Sequence, residues 1–156
     1  MTHTTTDRPP ALAGTISDTV HPRLVFSSLW ATLLFVFAYV DIFGFWRADM
    51  IDGALEGVIP RVGFTIDQRF LVLTTLYVLV PSLMVAASTM LRWRILRPLT
   101  LVLTALYPVS IAVGMVGEPW LYYQLGSVVE IVLLLLIARV AGRHRPHQPY
   151  AAGRPA

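Results

Sequence analysis

Two carboxylates stand inside apolar stretches of this sequence, and their chemistry sets the first question. Glu130 lies in Trp120 to Arg139, WLYYQLGSVVEIVLLLLIAR, which is long enough to cross a bilayer as a helix. At a rise of ~1.5 Å per residue it would sit roughly 15 Å from Trp120 and about 14 Å from Arg139. That is close to the middle of a hydrocarbon slab ~30 Å thick. An ionisable group at such a depth is costly, so it must face other helices, water or a ligand, or carry a proton. Asp41 is the one charge in the apolar run Leu24 to Trp46. Counted back from Trp46, it lies about 7 Å inside the far end of that run, within reach of interfacial water.

Several polar aromatic residues fall at matching depths. Counting from the same boundary places Tyr77, Pro81 and Tyr107 level with Glu130, on three helices. Tyr123, Ser127 and Glu130 share one helical face. Asp41, Tyr39, Tyr123 and Gln124 lie one to two turns nearer the boundary. The expectation is a polar seam running from one membrane surface to Glu130, with Glu130, Asp41, Tyr39, Tyr77, Tyr107, Tyr123 and Gln124 as candidates for holding a ligand or a proton. The alternative is structural: a buried carboxylic acid hydrogen-bonded to Tyr107 or Tyr77 can simply fix helix packing, with desolvation keeping it neutral.

The elements that must position these residues are four apolar runs, about 24–46, 70–91, 98–117 and 120–140. The second carries Pro81 near its middle. Its Thr74, Tyr77, Pro81, Met84 and Ser88 fall on one face, which should look inward. Proline there frees a backbone carbonyl that a neighbour's hydroxyl can satisfy. The third run places Thr100, Thr104, Tyr107, Ile111, Gly114 and Glu118 on one face, and Gly114 and Gly117 permit close helix approach. The turn GEPW makes the last two helices antiparallel neighbours. Between the first two runs, Met50, Ala54, Leu55, Val58 and Ile59 recur at helical spacing. This fits a short interfacial helix or, equally, a solvated connector.

Composition agrees and excludes much. Of 156 residues 56% are hydrophobic and only 13% charged, so this is a membrane protein. All twelve basic residues are arginines, and most flank the apolar runs. The net charge of +3 therefore reports membrane orientation, and nucleic acid is not an expected partner. The chain has no cysteine and no lysine, which removes thiol chemistry and any side-chain Schiff base. The four histidines, His3, His21, His144 and His147, lie in the tails, so no bis-histidine haem or intramembrane histidine metal site is expected. No cofactor, metal ligand set or catalytic residue is expected.

RWRILR, Arg92 to Arg97, reads as a cytoplasmic turn by the positive-inside rule. The acidic segment with Asp49, Asp52, Glu56 and Asp67 then lies outside. The resulting architecture is all-α: a four-transmembrane-helix bundle, up-down-up-down, with N and C termini cytoplasmic. It is flanked by a disordered leader over 1–23 and a disordered basic tail over 142–156.

The chain from about Val25 to Val140 resembles an uncharacterised bacterial family of small four-helix membrane proteins, known only as a domain of unknown function. The resemblance rests on SSLW at Ser27 to Trp30, on Ala38-Tyr39-Val40-Asp41-Ile42, on GALEG at Gly53 to Gly57, on Pro81, and on the Tyr123 to Leu135 pattern with Glu130. It implies that Asp41 and Glu130 belong to a recurrent pattern, and it implies no activity. Where some members carry a glutamate before the second-helix proline, this chain has Val80. The reading is a multi-pass protein of a bacterial inner membrane, contacting the bilayer and forming a homo-oligomer or joining a membrane complex. It binds or passes a small hydrophobic or protonatable molecule at the carboxylate seam. The rival readings are a structural or accessory subunit, and an enzyme acting on a lipid or quinone.

Overall fold

The computed structural model describes residues 22–60 and 62–143. They form five helices: α1 (Pro22–Gly44), α2 (Ala48–Glu56), α3 (Gln68–Met90), α4 (Trp93–Met115) and α5 (Leu121–Arg143). Each long helix has 23 residues, about 34 Å at ~1.5 Å per residue, enough to cross a hydrocarbon layer. Mean hydropathy over the best window of each ranges from 1.7 to 2.2, and only 11% to 33% of each window is buried inside the protein. Large apolar side chains such as Leu73, Leu83, Val113, Leu125 and Leu135 point outward. In water such a surface would be one continuous aggregating patch, whereas a bilayer solvates it. The protein is an all-helical bundle with four helices built to lie in a membrane.

The short α2 resolves the choice between helix and connector in favour of a helix. It ends on Gly57 with φ 73°, in the left-handed region, where the glycine N–H closes the last turn. Gly53 is required one turn earlier, because a Cβ there would collide with the Pro60 ring at 2.6 Å. A Val58–Thr65 bridge then folds the loop back toward Asp67, whose carboxylate caps α3 by accepting from the Phe70 N–H at 2.8 Å.

Two boundaries differ from the sequence expectation. The segment RWRILR is mostly helix: α4 begins at Trp93, leaving Leu91 and Arg92 as the whole α3–α4 link. Trp93, Arg94, Ile95, Leu96 and Arg97 all tolerate helical geometry, so Pro98 sits inside the helix rather than at its start. Gly117 belongs to the turn, with φ 78° and open space where a Cβ would be. Gly114 alone of the pair sets a close approach: a Cβ there would lie 2.9 Å from the Tyr123 hydroxyl. Pro22, Arg23, Gly142 and Arg143 are helical, and the rest of the expected leader and tail lies outside the described residues.

In the bundle α1 packs on α3 and α5, α4 packs on α5, and α3 meets α4 only sparsely. The core fills the half nearest the chain ends. There Phe26, Trp30 and Leu33 of α1 meet Met84, Leu96, Leu134, Ile137 and Ala141. Arg23 donates to the Thr89 carbonyl at 2.9 Å and Ser27 to the Val85 carbonyl at 3.1 Å, fixing α1 against α3 there. In α3 the buried residues are Pro81, Met84 and Ser88, all in its second half. The first half of α3 leaves the core, and the bundle opens toward the α2 end.

Candidate functional site

The opening forms a cavity of about 500 Å³ lined by all four long helices and by Phe64 of the α2–α3 loop. Asp41 enters it from α1, Thr74 and Tyr77 from α3, Ser110 from α4, and Tyr123, Ser127 and Glu130 from α5. Why these residues meet follows from local structure. On α5, Ser127 and Glu130 are three residues apart and so share a face. The same face continues downward as Leu134, Ile137 and Ala141, all buried in the core. Glu130 is thus the last residue of the packed stripe before it opens into the cavity. It is 5% exposed.

Asp41, in contrast, is exposed on its helix while lining the same space. Neither carboxylate forms a hydrogen bond or salt bridge among the described residues. Two unpartnered acids set among aromatic rings and hydroxyls can accept hydrogen bonds, hold a cation, or take up a proton.

The cavity's lower wall is a reciprocal latch between α3 and α4, the two helices that otherwise barely touch. Pro81 has no N–H, so the Tyr77 carbonyl four residues earlier lacks its helical donor. The Tyr107 hydroxyl supplies one at 2.6 Å. Ser110 gives its proton to the Tyr107 carbonyl at 2.8 Å, which leaves Tyr77 as the donor in the 2.8 Å bond between the Tyr77 hydroxyl and Ser110. Phe37 stacks on both rings, at 6.2 Å from Tyr77 and 6.4 Å from Tyr107. Close packing of α1 on α5 also depends on Gly126, where a Cβ would run into Val40.

Of the seven residues expected at the seam, four line the cavity: Glu130, Asp41, Tyr77 and Tyr123. Tyr107 lies just beyond the wall, buried and committed to the Tyr77 carbonyl. Tyr39 points away, into a shallow apolar groove between α1 and α5 on the outside of the bundle. It shares Asp41's depth but sits two residues along the helix, some 200° around it, which depth counting alone ignores. Gln124 is turned toward the α4–α5 turn, donating to the Glu118 carbonyl at 2.7 Å.

Sequence reasoning missed Arg47, which it treated as a border marker. Arg47 is 3% exposed and reaches Asp49 at 2.6 Å and Glu118 at 3.2 Å. It also donates to the Tyr122 hydroxyl at 3.4 Å and lies 4.8 Å over the Trp120 ring. Its guanidinium is held protonated beyond its ordinary range, chiefly by the Asp49 hydrogen bond and then by Tyr122 and Glu118, against the opposing effect of burial. This clamp ties the α1–α2 junction to the α4–α5 turn at the rim of the open end. The signal in the sequence was weak: a cation and an acid two residues apart, with a second acid in GEPW.

The cavity continues into an outer groove of about 580 Å³ along α3 and the preceding loop, lined by Phe64, Thr65, Asp67, Arg69, Phe70, Leu73, Thr74 and Tyr77. Phe64, Phe70, Thr74 and Tyr77 belong to both spaces. No group of three potential metal ligands occurs among the described residues.

Comparison with known sequences agrees with this architecture. No curated protein and no solved structure matches the chain. A family model matches residues 18–148, spanning all five helices with the Asp41 and Glu130 positions. The chain therefore belongs to a family of unknown function, DUF6326.

Proposed function

We propose that the cavity is a binding site for a small, largely apolar molecule that interacts with Glu130. The observation that carries this reading is the placement of Glu130: nine-tenths buried, facing an open space, with no partner among the described residues. A carboxylate kept only for packing would be expected to spend its hydrogen-bonding capacity on a neighbouring helix. Tyr77 and Tyr107 use their hydroxyls on each other's helices instead, and Tyr123, which lines the same cavity, forms no hydrogen bond to Glu130. The tightly packed half below Glu130 means that binding needs no further change, whereas passage across the membrane requires that core to part. The natural place for that movement is Pro81, where α3 already leaves the bundle.

The same reading places the chain in a cell membrane as a multi-pass protein, its termini cytoplasmic and its cavity facing outward. Arg92, Arg94 and Arg97 gather at the closed end, while Asp49, Asp52, Glu56 and Asp67 lie at the open one, in keeping with the positive-inside rule.

Dicyclohexylcarbodiimide tests the site directly, being a small apolar molecule that modifies protonated carboxyl groups. Peptide mass spectrometry after treatment in lipid should find the adduct on Glu130 and none on Asp52 or Glu56, which lie in water. An unmodified Glu130 under conditions that saturate a known buried carboxyl would defeat the proposal.

A further inference from the structure

We infer that the occupant of this cavity is an organic cation with an apolar, aromatic-compatible body, an inference that rests on the binding reading above and narrows it. Two acids, Asp41 and Glu130, face the cavity, and none of the described residues lining it is basic. Arg47, the buried cation of the open end, is engaged by Asp49 and Glu118 at the rim and does not line the cavity. Ionised acids in an apolar enclosure are costly without a counter-charge, and the attraction of a bound cation grows as water is excluded.

The remaining wall suits the same ligand. Phe64, Phe70, Tyr77 and Tyr123 present aromatic rings, whose faces attract a diffuse cation and whose area shields an apolar body. A small inorganic cation is a poor match, because it would demand a close shell of oxygen donors. Of the wall hydroxyls, Thr74 donates to the Phe70 carbonyl at 3.0 Å and Tyr77 and Ser110 engage each other, while Tyr123 and Ser127 also face the space. A neutral apolar molecule would bind only with the acids protonated, whereas a cation binds their ionised form. The groove along α3 shares four residues with the cavity and lies on the outer side of the bundle. It gives an amphipathic cation a path from the headgroup level, where such molecules concentrate.

The test uses the full chain in phosphatidylcholine nanodiscs, with radiolabelled tetraphenylphosphonium as the cation and triphenylphosphine oxide as its uncharged aromatic counterpart. Empty nanodiscs supply the background. Saturable binding of the cation is expected, with the oxide weaker by about tenfold or more. Combining Asp41→Asn with Glu130→Gln should weaken the cation by a similar factor, since the attraction being removed is between full charges at short range. Should the double variant fail to fold, Asp41→Asn alone, at an exposed position, is expected to weaken cation binding and leave the oxide unchanged.

Equal binding of cation and oxide, unchanged cation binding in a folded variant, or no saturable cation binding would each overturn the inference. The carbodiimide adduct then separates the two levels of the proposal. If Glu130 is still modified, the cavity binds small apolar molecules without preference for charge; if it is not, the binding reading falls as well.

Discussion

Tyr107 and Pro81 are best understood as one unit. The proline removes the donor that the Tyr77 carbonyl needs, and in a lipid environment no water replaces it. The Tyr107 phenol fills the vacancy at 2.6 Å, joining α4 to α3 at the level where the helices otherwise separate. Replacing Tyr107 by Phe should therefore cost about 1–3 kcal/mol, the usual penalty for a stranded buried carbonyl. Pro81→Ala restores an N–H to α3, so the same Tyr107→Phe change should cost much less in that background. Reversible unfolding in mixed micelles measures all four members of the cycle, and equal losses in both backgrounds would show that Tyr107 contributes in some other way. The sequence disclosed half of this pairing. A proline in a membrane helix announces a free carbonyl, but which hydroxyl answers it depends on rotation of α4 about its axis, and Tyr107 and Ser110 were both available.

At the scale of the elements, the rim clamp is the feature that holds the open end in shape. Few contacts join α2 to the long helices, so the α1–α2 junction depends on the Arg47 network with Asp49, Glu118, Tyr122 and Trp120. Arg47→Gln would remove the guanidinium that pairs with Glu118, itself largely buried, and with Asp49. A loss of about 3 kcal/mol is expected, the low end for breaking a buried pair because Asp49 is partly in water. Arg47→Lys keeps the charge but not the planar fork, and should fall between. Melting temperature together with limited proteolysis across the α2 loop reports both effects. If Arg47→Gln melts and resists protease as the native chain does, the clamp is not what secures the rim.

The stripe on α3 meets two different neighbours along its length. Thr74, Tyr77, Met84 and Ser88 lie on one face of α3, as their spacing predicts. Met84 and Ser88 meet the core, however, while Thr74 and Tyr77 meet the cavity. Periodicity identifies an inward face without saying whether another helix or an open space lies opposite. The start of α4 at Trp93 was hidden for a related reason. Arginines and a proline mark a membrane border in sequence, yet a helix can run through that border wherever its backbone groups remain satisfied.

The whole molecule is asymmetric along its long axis. Aromatic and aliphatic side chains from all four spans close one end, and at the other the first half of α3 contributes no buried residue and meets α4 only sparsely. The four spans, their alternation and the place of Glu130 midway along the last helix were legible because hydrophobic length and a lone carboxylate are strong signals in an apolar sequence. The sparse α3–α4 contact was not, since no single span encodes it. Glu130 sits at the boundary between the two halves, and the proposed function depends on its facing the open one.

The absence of cysteine from the sequence makes the decisive measurement a clean one. Glu130→Cys and Ser88→Cys each introduce a single thiol at a position nine-tenths buried, one bordering the cavity and the other inside the packed end. In nanodiscs, where both membrane faces meet solvent, a permanently charged methanethiosulfonate should modify Glu130→Cys rapidly and leave Ser88→Cys untouched. An inert thiol at position 130, or equal reaction at both positions, would contradict a solvent-connected cavity ending at Glu130.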